Sequence, residues 1–244
     1  MEHQIWFTAL LNKLLAGVVT PALTAIHVAP ADPANPIPNF TAMEILVFLT
    51  IIACALILRA VMSVESPGTF QALFELAVEF VQNTAHEIIG HDYKRYVPLL
   101  GTLGFFILFS NVLGLIPTLE TPTGAIQVTL GCAVATFLYY NYQGVRHHGP
   151  LGYLKSFWGP IWWVGFLLFP VEIVSNLFRL LSLSVRLYAN MFVGKLLEQV
   201  AGSIIPIAVP SAMMGLHLFV SFIQTYIFIL LPAVYISLSV AEEH

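Results

Sequence analysis

Arg186 lies at least fourteen residues from either end of a long apolar run, in a chain where only 9% of the residues are charged. An ionisable group at that depth in a hydrophobic helix is costly and marks a functional site by default. At about 100° per residue, Arg179 falls within about 20° of Arg186, and Glu172, Ser175, Ser182 and Asn190 all fall within about 40°. Six polar residues therefore share one helix face. The following apolar run carries a second stripe: His217 and Gln224 are seven residues apart, with Ser221 between them and Tyr235 in line. Lys195 and Glu198 lie beyond Arg186 on the side that a hairpin brings to His217. Glu172 lies about 21 Å along the helix on the other side. Titratable groups thus occupy both sides of a central arginine.

That pattern suits passage of an ion, H⁺ in the first instance. A guanidinium stays protonated and cannot relay a proton. It blocks a cation from passing straight through and lowers the pKa of a carboxylate brought beside it. No acidic residue of this chain is expected at the depth of Arg186, so that carboxylate belongs to a partner subunit. Plainer readings stand beside this one. Arg179 pairs with Glu172 or with a lipid phosphate. Gln224 and Asn190 join helix to helix. Lys195, about 180° from Arg186, snorkels outward. His217 is a hydrogen-bonded core histidine.

The elements that must hold these residues are membrane helices. Hydrophobic residues make up 58% of the chain and the mean hydropathy is +0.86. Charges at about a quarter of the residues are usual for a soluble surface, and too few remain here to cover one. The net charge of −4 gives no reason to expect a nucleic-acid partner. Cys54 and Cys132 sit in apolar runs and read as small buried hydrophobes. The fold expected is an all-α integral membrane protein with about five spans, near residues 40–62, 96–117, 125–142, 160–203 and 207–240. An extracytoplasmic segment, residues 1–39, precedes this single membrane domain, 40–244. In that segment Lys13 followed by Leu14–Val28 has the outline of a weak signal peptide, but Pro21 interrupts it, and a surface amphipathic segment is expected. The four prolines of Ala29–Asn39 then predict an extended loop. Leu73, Leu76, Ala77 and Phe80 recur at helical spacing between the first two spans, opposite Glu75 and Glu79, which predicts an amphipathic helix at the membrane surface. A polar, basic loop is expected at Asn141–Lys155. The last two helical patterns, Val171–Ser203 and Ile207–Val240, are 33 and 34 residues long. Each is about 50 Å at a rise of 1.5 Å, against a hydrocarbon core of about 30 Å. They are expected to form a strongly tilted hairpin across the Ile204–Pro206 link, with Pro232 as a place to bend. Arg59, Lys94, Arg95, Arg146 and Lys155 flank the loops after the first and third spans, which places the N-terminus outside and the C-terminus in the cytoplasm.

The run Ser182-Leu183-Ser184-Val185-Arg186-Leu187-Tyr188-Ala189-Asn190-Met191-Phe192-Val193-Gly194 closely resembles the signature of subunit a of bacterial F-type ATP synthases. Ser110-Asn111-Val112-Leu113-Gly114-Leu115-Ile116-Pro117 is similar to that family's third-helix motif. His217 with Gln224, and the ending Ala241-Glu242-Glu243-His244, are similar to its last helix and tail. The resemblance runs from about Asn35 to the C-terminus. It implies a proton-translocating stator subunit in the bacterial inner membrane. Its partners would be the rotating c-ring, the subunit b peripheral stalk, other ATP synthase subunits and membrane lipid. It needs no cofactor, and is no enzyme on its own. By the same resemblance Arg186 matches the essential arginine. Asn190, His217, Gln224 and Asn111 match the outer half-channel, Glu172 and Ser175 the inner one, and Glu44 the acidic residue at the outer end of the first helix. Two positions depart from the pattern: Lys195 and Ala125 stand where many members carry an acid. Glu198, one turn beyond Lys195, is expected to supply the missing carboxylate.

Two other classes fit worse. His86-Glu87-Ile88-Ile89-Gly90-His91 has the outline of a zinc-hydrolase motif, but its histidines are five apart and about 140° around the helix, where that motif needs four. His147-His148 has no third ligand in view. A secondary transporter would show internal repeats around a midplane site, and none is visible. No phosphate-binding G-x-x-x-x-G-K loop is present, so ATP chemistry is assigned to other subunits.

Overall fold

The structure, a computed structural model, describes residues 5–25, 35–63, 68–90, 92–116, 118–156, 162–204 and 208–240. Seven α-helices follow one another among the described residues: α1 (Trp6–Ala25), α2 (Asn39–Val61), α3 (Thr69–Ile89), α4 (Val97–Leu113), α5 (Ile126–Ser156), α6 (Trp162–Ile204) and α7 (Ala208–Val240). Short 3₁₀ turns at Tyr93–Arg95 and Pro122–Gly124 lead into α4 and α5. The chain is an all-α membrane protein. Helices satisfy their own backbone groups, which is what a bilayer demands. By length and composition three of them can cross it: Asn39–Val61, Gly165–Glu198 and Ser211–Val240. α4 is apolar but shorter, at 17 residues.

α7 is the centre of the bundle and packs against α3, α4, α5 and α6. One core cluster joins Val47 of α2, Leu103, Phe106 and Ile107 of α4, Val128 and Ala133 of α5, Leu183 and Leu187 of α6 and Phe228 of α7. A second joins Val81 and Ala85 of α3 to Tyr96, Leu100, Tyr140, Ile229, Ala233 and Ile236. The opposite faces are apolar as well. On α2, Phe48, Leu49, Ile52, Leu56 and Ile57 all point outward. Outward apolar faces make sense only where the surroundings are hydrocarbon.

The apolar face of α3 that the sequence singles out, with Leu73, Leu76, Ala77 and Phe80, lines a groove closed by Phe105 and Leu108 of α4 and Phe222, Tyr226 and Ile229 of α7. Gln71 ties the start of α3 to the end of α2. Its amide oxygen accepts from the Ser63 backbone N–H at 3.0 Å, and its amide nitrogen donates to the Ser63 carbonyl at 3.1 Å.

Two expectations need correction. The stretch read as a polar loop, Asn141–Lys155, is helical, because α5 continues to Ser156. Polarity alone suggested the loop, yet Arg146 and His147 are simply the exposed face of a helix whose Gln143 and Gly144 are buried. The helix breaks once, at Gly149, where φ is 75° and ψ is 162°. That combination is close to glycine-only, and Pro150 then starts the next turn. Second, the 33-residue pattern Val171–Ser203 understates its helix: α6 reaches back to Trp162 with Pro170 inside it, while Pro232 lies inside α7. α6 has 43 residues, or about 64 Å of helix, roughly twice the hydrocarbon thickness. Most of the proline-rich stretch (residues 26–34), the 205–207 link, the C-terminal tail 241–244, and His91 and Pro117 lie outside the described residues.

Candidate functional site: a polar seam along α6 and α7

α6 and α7 run antiparallel, and three contacts set their register. The Asn190 amide donates to the Gln224 Oε1 at 2.7 Å. His217 Nε2 stands 3.3 Å from the Met191 sulfur. The Arg179 guanidinium lies over the Tyr235 ring at 5.6 Å. The polar faces that the sequence predicts on each helix therefore meet along one seam. Thr129 and Ser184 add a hydroxyl contact from α5 at 3.2 Å. Lipid exerts no hydrophobic pull between helices, so such polar contacts and close packing hold them together.

Arg186 occupies the middle of the seam, half-buried, with Ser182 Oγ 3.5 Å from its guanidinium. Among the described residues no carboxylate stands within the 4.0 Å that defines an ion pair with it.

On one side of Arg186, Asn190 and His217 join the apolar Val193, Gly194, Leu197, Met213, Leu216 and Val220 in lining a pocket of about 170 Å³. Gly194 makes room for the histidine. A Cβ there would lie 2.9 Å from His217 Cε1, closer than side chains tolerate. Gln224 is buried and its amide nitrogen has no partner among the described residues. Asn111 of α4 is in the same position, accepting from the Thr123 hydroxyl at 2.6 Å while its own amide nitrogen has none. Unpaired buried donors are expensive. Lys195 is half-buried. It does not point away from the protein: its Nζ is 4.0 Å from where a Cβ on Gly124 would be, against the α4–α5 link. The charges of Glu120 and Glu198 both reach it, and that of Glu198 also reaches His217. Glu120 is a residue that sequence reasoning missed, since its link is distant from Lys195 along the chain.

On the other side of Arg186, Tyr140, Tyr153, Glu172, Asn176, Arg179, Leu238 and Ser239 line a second pocket, of about 160 Å³. Glu172 and Arg179 pair at 3.6 Å, which is one of the plainer readings of Arg179. Ser175 lies half-buried on the same helix. Glu44 of α2 stays apart. Its charge is felt at Cys132, and among the described residues no hydrogen bond or ion pair joins it to the other candidates. The tyrosines and Asn176 also went unrecognised in the sequence. Asn176 carries the one visible signal, four residues from Glu172 and so on the same polar face.

A family profile described as ATP synthase A chain matches residues 41–237. The chain belongs to that family. It is 47% identical over 244 residues, all of both chains, to ATP synthase subunit a of Koribacter versatilis (strain Ellin345). It is 43% identical over 233 residues to the same subunit of Solibacter usitatus (strain Ellin6076), covering 96% of this chain and 99% of that one. With the subunit a of Geobacter sulfurreducens it shares 40% over 244 residues, all of both chains. In this member of the ATP synthase A chain family, two pockets, each with polar side chains in its wall, flank a mid-helix arginine.

Proposed function

We propose that the chain is the proton-translocating stator subunit in the membrane sector of a bacterial ATP synthase. It would form two offset half-channels against the rotating c-ring and couple proton flow to ATP synthesis. One observation carries this reading. Along α6, Arg186 lies between two separate pockets, one lined in part by Asn190 and His217 and the other by Glu172, Asn176 and Arg179, and it has no ion-paired carboxylate of its own chain among the described residues. Asn190, His217, Gln224 and Asn111 form the outer access path, with Lys195, Glu198 and Glu44 toward its mouth. Glu172 and Ser175 form the inner path. The Lys and Arg distribution puts the outer path outside the cytoplasm and both Glu172 and the C-terminus on the cytoplasmic side.

The mechanism is electrostatic. A protonated carboxyl group on the ring rides past the outer path neutral, which the bilayer tolerates. Brought to about 4 Å from Arg186, a carboxylate gains about 4 kcal/mol at an effective dielectric of 20. That equals about three pKa units, enough to expel the proton toward the inner path. The guanidinium keeps its own proton and so blocks a direct leak. Exposed Phe178 and Val185 of α6 and Phe219 of α7 suit an apolar rotor or lipid. A stalk subunit b would contact other faces.

ATP-driven acidification of inverted membrane vesicles tests the reading. Arg186→Ala in a fully assembled complex should abolish pumping. Wild-type pumping by that variant would reduce Arg186 to a structural charge and sink the proposal.

A further inference from the structure

Gly149 reverses the chain at the end of α5, and the reversal delivers a side chain to the Glu172 pocket. Residues 141 and 153 would be about 18 Å apart in a straight helix. Here the Tyr153 hydroxyl donates to Asn141 Oδ1 at 2.9 Å, and its ring packs where a side chain on Gly144 would otherwise sit. The same Asn141 oxygen accepts from the Asn176 amide nitrogen at 3.2 Å. The Tyr140 hydroxyl donates to Asn176 Oδ1. Asn141 itself is held by its amide nitrogen, which donates to the Phe137 carbonyl at 2.7 Å.

That last bond fixes the direction of the whole network. A backbone carbonyl only accepts, so the amide nitrogen of Asn141 must face it and the amide oxygen must face the two donors. Asn141 stands behind the pocket wall and is no part of its lining, whereas Tyr153 and Asn176, whose donors it takes up, line the pocket with Glu172. Arg179 is the cation paired with Glu172, and it is itself laid over Tyr235.

We propose that Asn141 is a positioning residue for proton exchange at Glu172: it takes up the Tyr153 hydroxyl and the Asn176 amide, two donors of the pocket wall, and so keeps them from bonding to the carboxylate that Arg179 pairs with. The inference rests on the reading of Glu172 as part of the inner path. A donor that bonds to a carboxylate favours its charged form and makes it slower to take up a proton. Among the described residues, the polar groups that line the pocket with Glu172 are Arg179, Tyr140, Tyr153, Asn176 and Ser239. Two of these are donors turned away by Asn141, so removing Asn141 releases them.

The experiment uses the assembled complex in inverted vesicles, where the bath pH is the cytoplasmic pH. The initial rate of ATP-driven proton pumping is measured across pH 6 to 9, a window bracketing neutral pH by about one to two units, with ATP hydrolysis by the uncoupler-treated complex as the control. Asn141→Leu should move the half-maximal point to lower pH by about one unit, and Asn141→Ala should do the same with less bulk. Tyr153→Phe alone should leave the profile unchanged, because its donor is already turned away. The double variant Asn141→Leu with Tyr153→Phe should recover part of the shift. An unchanged profile in both Asn141 variants, with ATP hydrolysis intact, overturns the proposal. Glu172→Gln separates this failure from failure of the inner path itself. Reduced pumping in Glu172→Gln beside an unchanged Asn141 profile would end only the present inference. Normal pumping in Glu172→Gln would end both.

Discussion

At the residue scale, the proposed role of Arg186 rests on its contrast with Arg179. Arg179, seven residues earlier on the same face, has Glu172 at 3.6 Å and Tyr235 beneath it, and is spoken for within the chain. Among the described residues, Arg186 has only Ser182 Oγ at 3.5 Å. A charge left without a counter-ion in a membrane helix is costly, and in the proposed mechanism a partner's carboxylate would relieve that cost. The outer pocket is argued at the same scale. Lys195 brings a positive charge where an acid is usual by family resemblance, and Glu198 is the nearby carboxylate whose charge reaches both Lys195 and His217. Glu198→Gln should slow proton pumping about tenfold, below the usual range for losing one proton-transfer group because Glu120 stands nearby as a second acid. Pumping at the wild-type rate in vesicles would show that the outer path does not use it.

At the scale of elements, the break in α5 matters most. Gly149 holds φ 75° and ψ 162°, a region whose occupation by any other residue costs about 1–3 kcal/mol. Gly149→Ala should therefore lower the thermal stability of the purified subunit or complex by about that amount, read as a shift in melting temperature. It should also loosen Tyr153 from Asn141. An unchanged melting temperature would mean that the reversal is not needed for the fold. The length of α6 acts at this scale too. A helix of 43 residues is long enough to carry one pocket near Glu172 and another near Gly194, about 33 Å apart along its axis. That distance matches a membrane core.

For the whole molecule the testable property is orientation. Leu151 is 83% exposed just past the α5 break, among the basic residues that the positive-inside rule places in the cytoplasm. A cysteine introduced as Leu151→Cys should react with a charged, membrane-impermeant thiol reagent in inverted vesicles and be protected in intact cells. The opposite pattern would invert the proposed direction of proton flow. The central place of α7, packed by four other helices, also fits a stator whose working face is the α6–α7 pair and whose remaining helices brace it.

The all-α membrane character, the polar faces of α6 and α7 and the candidate residues on them were all legible from periodicity, because a helix converts spacing into direction whatever surrounds it. The hairpin reading placed Lys195 and Glu198 near His217, whereas the contacts of His217 with Met191 and of Asn190 with Gln224 came from the structure. Spacing along one helix carries no information about other helices. The Asn111–Thr123 pair, the approach of Lys195 to the Glu120–Gly124 link and the Tyr153–Asn141–Asn176 network each join residues set 12 to 75 positions apart. The loop reading of Asn141–Lys155 failed for a related reason. Polarity tells that a segment meets water, not whether its backbone is helical, and the reversal at Gly149 shows itself only in the packing of Tyr153 on the preceding turns. Local pattern was thus enough to say which faces are polar and how deep the arginine lies. Which donors meet which acceptors around it came from the packing of the helices, because those bonds depend on distances between elements that no local pattern encodes.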